Sequence, residues 1–349
     1  MTLAIAKGLV LPEGSRFSIG AVPAAIAGVA PTLDYRPALE RREIEAVSLS
    51  DKLTFFGGNQ GTFVGSDGYI QRAQTDEARF DHNPTIGESL GLLVEEQRSN
   101  LLPSSVYTSN ANGWTNGVIG GTGTIASAVV TNKAGNTNGV FGVSGLNGTS
   151  YVGCFASTVS STNTYTASVF VKNNGGTVFQ MRLVNQNGGT YKSSATQYTF
   201  ATGAWADGIA GTAAPVSRTV QDMGDGWLRF SITAADNDTG NTQTALLLFG
   251  GTTTTNYNYY IWGVQLEAGA FPTSYIPTTA SAATRPADSA VLDGTGIITG
   301  TYTMVEKPEG CAVINGTDIE LQNGFTIERV MVFPATLTAG QITAIRAAM

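Results

Sequence analysis

The sequence predicts an all-β protein: an antiparallel jelly-roll β-sandwich with an extended N-terminal arm and a small C-terminal β segment ending in one short helix. Three observations predict it. Only 13% of the 349 residues are charged and 43 are glycine, against roughly 25% charged in an average globular protein, a mix that disfavours long solvated helices. Alternating apolar and polar residues recur through the middle of the chain, which is the period of a half-buried strand. Turn sequences such as Asn173-Asn174-Gly175-Gly176, Asn187-Gly188-Gly189 and Asp225-Gly226 divide these runs.

Residues 1–32 mix small apolar residues with Gly and Pro, as in Ala21-Val22-Pro23-Ala24-Ala25-Ile26. No helical period survives there, and the stretch reads as an arm that gains a partner on assembly. Residues 33–103 hold short β-like pieces, among them Leu53-Thr54-Phe55-Phe56 and Thr62-Phe63-Val64, with a hairpin turn at Gly65-Ser66-Asp67-Gly68. Pieces with so little apolar mass need another surface to pack on, so this segment is expected to dock or oligomerise.

Residues 104–278 read as the sandwich. Phe179, Met181 and Leu183 share one face while Gln180 and Arg182 take the other; Leu228, Phe230 and Ile232 alternate likewise with Trp227, Arg229 and Ser231. Tyr165, Ala167, Val169 and Val171 form a third row, and Ala245-Leu246-Leu247-Leu248-Phe249 is apolar throughout, as in a central strand. In the closing strand, strict alternation puts Tyr260, Trp262, Val264 and Leu266 on one face. Pro272 and Pro277 should then throw the chain out as an extended exit arm, so residues 100–277 are expected to fold as a fragment. Residues 279–349 carry further short strands and one helix, where Thr338 and Gln341 form a capping box and Leu337 with Ile342 a hydrophobic staple.

Several chemistries fit poorly. A net charge of −7 with no Lys/Arg cluster argues against a nucleic-acid partner. No apolar run approaches the ~18 residues of a membrane span, and Glu13 and Arg16 break the apolar N-terminus in a way that makes a poor signal peptide, so assembly in a cytoplasm is expected. Cys154 and Cys311 lack metal-ligand spacing; they read as free buried thiols, with a disulfide left open. The single histidine, His82, has no second His to complete a triad or metal site, and it reads as a turn residue. Glu95 and Glu96 are adjacent, so on a strand they point apart and cannot flank one glycosidic bond. Gly121-Thr122-Gly123-Thr124-Ile125-Ala126 matches a dinucleotide fingerprint on paper, but its context offers neither the strand before nor the helix after. No enzyme, cofactor or catalytic residue is expected. Sugar recognition needs solvent-facing aromatic platforms, and Trp205, Trp227, Tyr257 and Tyr259 are the candidates, Trp227 and Tyr259 because they lie opposite the expected core face.

Gly91-Leu92-Leu93-Val94-Glu95-Glu96-Gln97-Arg98-Ser99-Asn100-Leu101-Leu102, preceded by Arg79-Phe80-Asp81, resembles a signature of tailed-phage head spike or fibre domains. Tyr260-Ile261-Trp262-Gly263-Val264-Gln265-Leu266-Glu267-Ala268-Gly269, Phe271-Pro272-Thr273-Ser274-Tyr275-Ile276-Pro277-Thr278 and Thr284-Arg285-Pro286-Ala287-Asp288 extend the likeness over residues 33–290. Within it, residues 100–267 resemble carbohydrate-binding modules of jelly-roll type, and Ile327 to Thr338 resembles the close of a cut-down concanavalin-like domain. The resemblance implies a virion structural protein, a homo-oligomer and most simply a trimer, attached to other virion proteins through residues 1–103. It also implies a projecting jelly roll available for weak contact with host surface glycan. The alternatives are a dedicated receptor-binding adhesin or a glycan depolymerase. Modules of this type often hold a structural calcium, for which Asp236 and Asp238 are the candidates.

Overall fold

The computed structural model describes residues 33–35, 53–57, 61–107, 113–118, 124–146, 150–156, 164–187, 190–208, 212–235, 243–249, 257–293, 301–307, 311–315, 318–321, 325–327, 329–333 and 337–348. The strands in chain order are β1 (Leu33–Tyr35), β2 (Leu53–Phe56), β3 (Thr62–Val64), β4 (Ile70–Arg72), β5 (Phe80–His82), β6 (Ser89–Val94), β7 (Arg98–Asn100), β8 (Trp114–Val118) and β9 (Thr124–Ser127). Then come β10 (Phe141–Leu146), β11 (Ser150–Ala156), β12 (Thr164–Asn173), β13 (Val178–Asn187), β14 (Thr190–Thr199), β15 (Ala204–Asp207), β16 (Ser217–Asp222), β17 (Trp227–Ala235), β18 (Gln243–Phe249) and β19 (Tyr257–Ala268). The last are β20 (Ala283–Arg285), β21 (Ser289–Asp293), β22 (Thr301–Lys307), β23 (Cys311–Asn315), β24 (Asp318–Leu321), β25 (Phe325–Ile327) and β26 (Arg329–Phe333), followed by helix α1 (Ala339–Ala348), the only helix among the described residues.

These elements form two compact units, where four segments were expected from the sequence. One comprises Met1–Phe55, Ser89–Val94 and Ser289–Met349, and the other Phe56–Glu88 and Glu95–Asp288. Residues 33–103 are divided between the two units. In the smaller unit β1 pairs with β26 in the sheet β1-β26-β22-β23, and β6, which carries Leu92 to Val94, pairs with β25. The C-terminal strands thus fold together with strands from early in the chain. The capping box is formed: Gln341 N–H donates to Thr338 Oγ1 at 3.3 Å, and Thr338 N–H to Gln341 Oε1 at 2.9 Å.

The larger unit is the jelly-roll sandwich. Its two six-stranded sheets have the orders β16-β17-β12-β19-β10-β9 and β15-β14-β13-β18-β11-β8, which we call the first and second sheets. The described pairings within both are antiparallel, and consecutive strands cross repeatedly from one sheet to the other. The expected rows hold: Tyr165, Ala167, Val169, Val171, Phe230 and Ile232 of the first sheet meet Phe179, Met181, Leu183, Leu246 and Leu248 of the second in one core. Phe179 packs on Phe230 with ring centroids 4.8 Å apart and edge-on to Tyr259 at 5.5 Å. The β3–β4 hairpin forms as expected, with Gly68 at φ 78° in its turn.

The closing strand β19 departs from strict alternation. Phe170 of β12 pairs with Trp262 and Ser168 with Gln265, so Val169 alone opposes Gly263 and Val264. This is a β-bulge, and Gly263 supplies its left-handed residue at φ 61°. Side chains change faces across it. Tyr259 and Ile261 before the bulge, and Val264 and Leu266 after it, all enter the inter-sheet core. Tyr260 and Trp262 turn to the outer side and join a second core with Val64, Val140, Phe170, Met223, Trp227 and Tyr275.

The proline-broken tail does not leave as an arm. It folds back on the outer side of the first sheet: Gln265 Oε1 accepts from Ile276 N–H at 2.7 Å, Gln265 Nε2 donates to Ser274 O at 3.1 Å, and Glu267 accepts from Thr273 N–H at 3.0 Å. Beyond the bulge the free edge of β19 is taken by the segment after β7, with Leu101 N–H donating to Leu266 O at 2.8 Å and Val264 N–H to Ser105 O at 2.9 Å.

A Cβ at position 263 would lie 2.9 Å from Phe170 Cδ2 and 3.3 Å from Tyr275 Cε2. Gly263→Ala should therefore lose about 2 kcal/mol or more, from the left-handed backbone and the clash together. Equal urea midpoints for the two proteins would show that the bulge does not set the register. The 100–277 fragment lacks Val64 of the second core and Arg79, Glu95, Arg285 and Asp288 of the same unit. We expect it to expose Trp227 and Trp262 and aggregate, which size-exclusion chromatography and tryptophan fluorescence would check.

Candidate functional site

The charged residues of the motifs come together inside the larger unit. Arg79, Glu95, Arg285 and Asp288 are all buried. Arg79 Nη1 lies 2.7 Å from Glu95 Oε2 while its Nη2 meets Asp288 Oδ2, and Arg285 lies 3.6 Å from Glu95 and 3.7 Å from Asp288. The backbone is tied at the same place, Glu95 N–H donating to Asp288 Oδ2 and Asp288 N–H to Glu95 O, both at 2.8 Å. Glu95 also accepts from Ser274 N–H and Ser274 Oγ at 2.7 Å each. Burial alone would raise the Glu95 pKa, but the Arg79 and Arg285 guanidinium groups and the Ser274 donors outweigh it and hold it below the usual carboxylate range.

Asn100 completes this brace. Its amide donates to Val264 O at 3.2 Å and Ile276 O at 2.9 Å and accepts from Leu102 N–H at 3.2 Å and Leu266 N–H at 3.1 Å. Four bonds saturate a buried amide, so the Asn of Arg98-Ser99-Asn100 is a joint and not a ligand group. Glu96 parts from Glu95 as expected: it is half-exposed and pairs with Arg98. His82 is buried, with Nδ1 2.9 Å from Val64 O.

The predicted aromatic platforms fare differently. Trp227 and Tyr259 are wholly buried, which corrects the expectation that they face solvent. Trp227 is indeed opposite the inter-sheet core, but the second core covers it, and its Nε1 donates to Thr131 O at 3.0 Å. Tyr259 lies before the bulge and so faces inward. Trp205 is half-buried at the open edge of the sandwich, edge-on to Tyr198 at 5.0 Å with the Arg218 guanidinium 5.4 Å above it. Arg218 in turn bridges to Asp207 at 2.6 Å. The Tyr257 side chain, Cys311's side chain, Asp236, Asp238 and Gly121 to Gly123 lie outside the described residues. Thr124 to Ala126 of the paper fingerprint are strand β9. Cys154 is a free, buried thiol whose pKa burial pushes up to about 12, so it is inert at neutral pH. Among the described residues no His, Cys, Asp and Glu cluster is spaced to hold a metal, and no helix is long and apolar enough to cross a membrane.

Hairpin, loops and returning tail cover the first sheet. On the second, antiparallel register aligns Gly153, Leu247, Arg182 and Ala195 in one row, with Tyr151, Gln180 and Gln197 to one side and Phe155, Ala245 and Val184 to the other. Tyr151 and Phe155 are half-buried and pack on a small apolar patch of Val184, Ala245 and Leu247. Gly153 keeps this patch low, since a Cβ there would lie 2.4 Å from Leu247 Cδ2 and 3.2 Å from the Phe155 ring. Beside it lies the buried Gln180, whose amide, turned with its oxygen toward Arg182, would accept from Nε and Nη2 at 3.2 Å each. Burial lowers the Arg182 pKa without taking the group out of its charged form at neutral pH. Two aromatic rings, an apolar floor, a cation and side-chain amides are what a polar, ring-shaped ligand requires. Of this set the sequence shows only that Gln180 and Arg182 point away from the core.

No protein-family model and no curated protein matches the sequence. Among solved structures, the sandwich is similar to a CBM4 carbohydrate-binding module at 11% identity, covering 49% of this chain and 97% of that one with a TM-score of 0.30. It is similar to the family 11 carbohydrate-binding module of a Clostridium thermocellum cellulosomal cellulase at 11% identity, covering 46% and 90% with a TM-score of 0.27. It is also similar to the enzymatically active domain of tailspike protein 4 from bacteriophage CBA120 at 12% identity and a TM-score of 0.30, covering 47% of this chain but only 21% of that one. The sandwich assignment stands on the strand pairing itself.

The brace yields a pH-dependent expectation. Because the folded Glu95 pKa is depressed, its contribution is complete above the unfolded value of about 4.3 and disappears as pH falls through the lower folded value. Glu95→Gln should cost about 3–5 kcal/mol at pH 7, by leaving Arg79 and Arg285 undercompensated. The difference from the parent should shrink below about pH 4. Urea midpoints at pH 7 and pH 3 test this, and a pH-independent difference would show that Glu95 is not ionised in the fold.

Proposed function

We propose that the chain is a non-enzymatic structural protein of a phage virion, attached through its N-terminal region and projecting the sandwich toward host surface glycan. The observation that carries this reading is the fate of the residues behind the phage-fibre resemblance. Arg79, Glu95, Asn100, Gln265, Glu267, Arg285 and Asp288 are buried and joined to one another or to backbone. The shared motifs therefore describe a way of bracing a sandwich and its returning tail, which is the work of a particle component. Buried carboxylates tied to guanidinium groups are unavailable to protonate a leaving group.

The dedicated adhesin is the second reading, favoured by the second sheet's aromatic face. Both readings predict that antibody raised against the sandwich labels intact particles at regular positions in electron micrographs. They also predict that the purified chain is a closed oligomer, most simply a trimer, in analytical ultracentrifugation. Absence of the protein from purified particles would end the virion reading. Release of sugar from host envelope by the purified protein would replace it with a depolymerase.

A further inference from the structure

The sandwich ends in edge strands β16 and β9 in the first sheet and β15 and β8 in the second. β8 and β9 carry no charged residue and β15 carries only Asp207. β16 alone carries a charge of each sign, Arg218 and Asp222, placed symmetrically about Val220. Its hydrogen-bonding phase is set by Met223 N–H, which donates to Trp227 O at 2.9 Å in the register that pairs Asp222 with Leu228. Met223 and Trp227 are thus a hydrogen-bonded pair, and antiparallel alternation turns the backbone of Gln221, Thr219 and Ser217 toward β17. The N–H and C=O groups of Arg218, Val220 and Asp222 point the other way, to the side on which no described strand lies.

We propose that β16 pairs with β16 of a second copy of this chain, antiparallel about a two-fold axis at Val220, so that two first sheets join edge to edge. With Val220 opposite itself, Arg218 of each copy stands opposite Asp222 of the other. Each outward N–H of these residues then meets an outward C=O. Charge selects this register. A parallel pairing in register sets Arg218 against Arg218 and Asp222 against Asp222, and like charges directly opposite are destabilising. An antiparallel slip by two residues leaves each charge facing Val220, Val216 or Gly224. The Arg218 side chain also has donor capacity to spare: its Nη1 lies 2.6 Å from Asp207, but its buried Nε has no hydrogen-bond acceptor. A carboxylate across the strand pair meets that guanidinium at close range. The contact goes beyond the virion reading and does not depend on it. It adds a two-fold axis to whatever closed ring the chain forms, so that trimers would associate in pairs.

Sedimentation velocity of the full chain over a range of concentrations tests this. The proposal expects the assembly to double in mass as concentration rises, monomer to dimer or trimer to hexamer, and to double less readily as salt rises. Val220→Pro removes the central outward N–H but spares the ladder to β17, in which that N–H takes no part. The variant should stay folded, as thermal melts would verify, and double at least about tenfold less tightly. Asp222→Arg, which sets arginines opposite each other, should weaken doubling likewise. Cysteine substitution reads the register directly. Val220→Cys should form a disulfide-linked dimer under oxidised glutathione, because its mate would lie about 5.5 Å away between Cα atoms. Gln221→Cys, about 8 Å from its mate, should not link. A mass that never doubles, or a doubling indifferent to both Val220→Pro and Asp222→Arg, overturns the contact. Should Val220→Pro fail to fold, the cysteine variants decide: no Val220→Cys dimer, or equal linking by both, overturns the register and the proposal with it. A trimer that never doubles leaves the virion reading standing, which particle labelling decides.

Discussion

Four charges with almost no access to water govern the larger unit: Arg79, Glu95, Arg285 and Asp288. Removing an ion from water costs several kcal/mol even after relaxation, and only close partners of opposite sign offset that cost. The segments bearing these residues are far apart in sequence, so none can be buried safely until the others arrive. That makes assembly of the brace all-or-none. The brace need not stabilise more than apolar packing would, since a buried ion pair can be neutral against a hydrophobic replacement. Its effect is on specificity, because intermediate arrangements with one charge buried alone are strongly disfavoured.

The tail geometry depends on this constraint. Ser274 donates to Glu95 through both backbone and hydroxyl, which fixes the tail one residue before Tyr275 enters the second core. Tyr275 reaches that core because the Gly263 bulge has turned Trp262 outward while returning Val264 to the inner face. Gln265 and Glu267 then stand on the outer side as acceptors for the returning backbone. Brace, bulge and tail form one connected device that covers the first sheet. Its sequence trace is the set of motifs whose spacing resembles phage fibre domains.

Much of the sandwich is legible in the sequence because alternation survives wherever a strand has one core face, as in Phe179 to Leu183 and Leu228 to Ile232. The terminal helix is legible because its cap is local, Thr338 and Gln341 being three residues apart. What alternation cannot carry is a change of phase. Gly263 looks like an ordinary small residue in an apolar strand, so strict alternation exchanges the faces of Tyr259 and Trp262. Trp227 is misplaced for another reason: its strand position does face away from the inter-sheet core, but a second layer from distant sequence covers it. The candidate site is the least legible part. Tyr151, Gly153 and Phe155 sit in a nearly all-apolar run, where the glycine-made low floor and the neighbouring Arg182 emerge only once register is known.

The hairpin and tail of the larger unit are anchored on the outer side of the first sheet. A sandwich whose outer sides were both open would have to hold its termini by other means, and one with both covered would present no sheet surface. Here the first sheet carries the entire load of anchoring the hairpin and tail, through Trp227, Trp262, Tyr275 and the charge brace. On the second sheet Tyr151 and Phe155 pack instead on the patch of Val184, Ala245 and Leu247. The patch of Val184, Ala245 and Leu247 and the charge brace share no residue, so substitutions at Tyr151 or Phe155 leave the brace pairs in place.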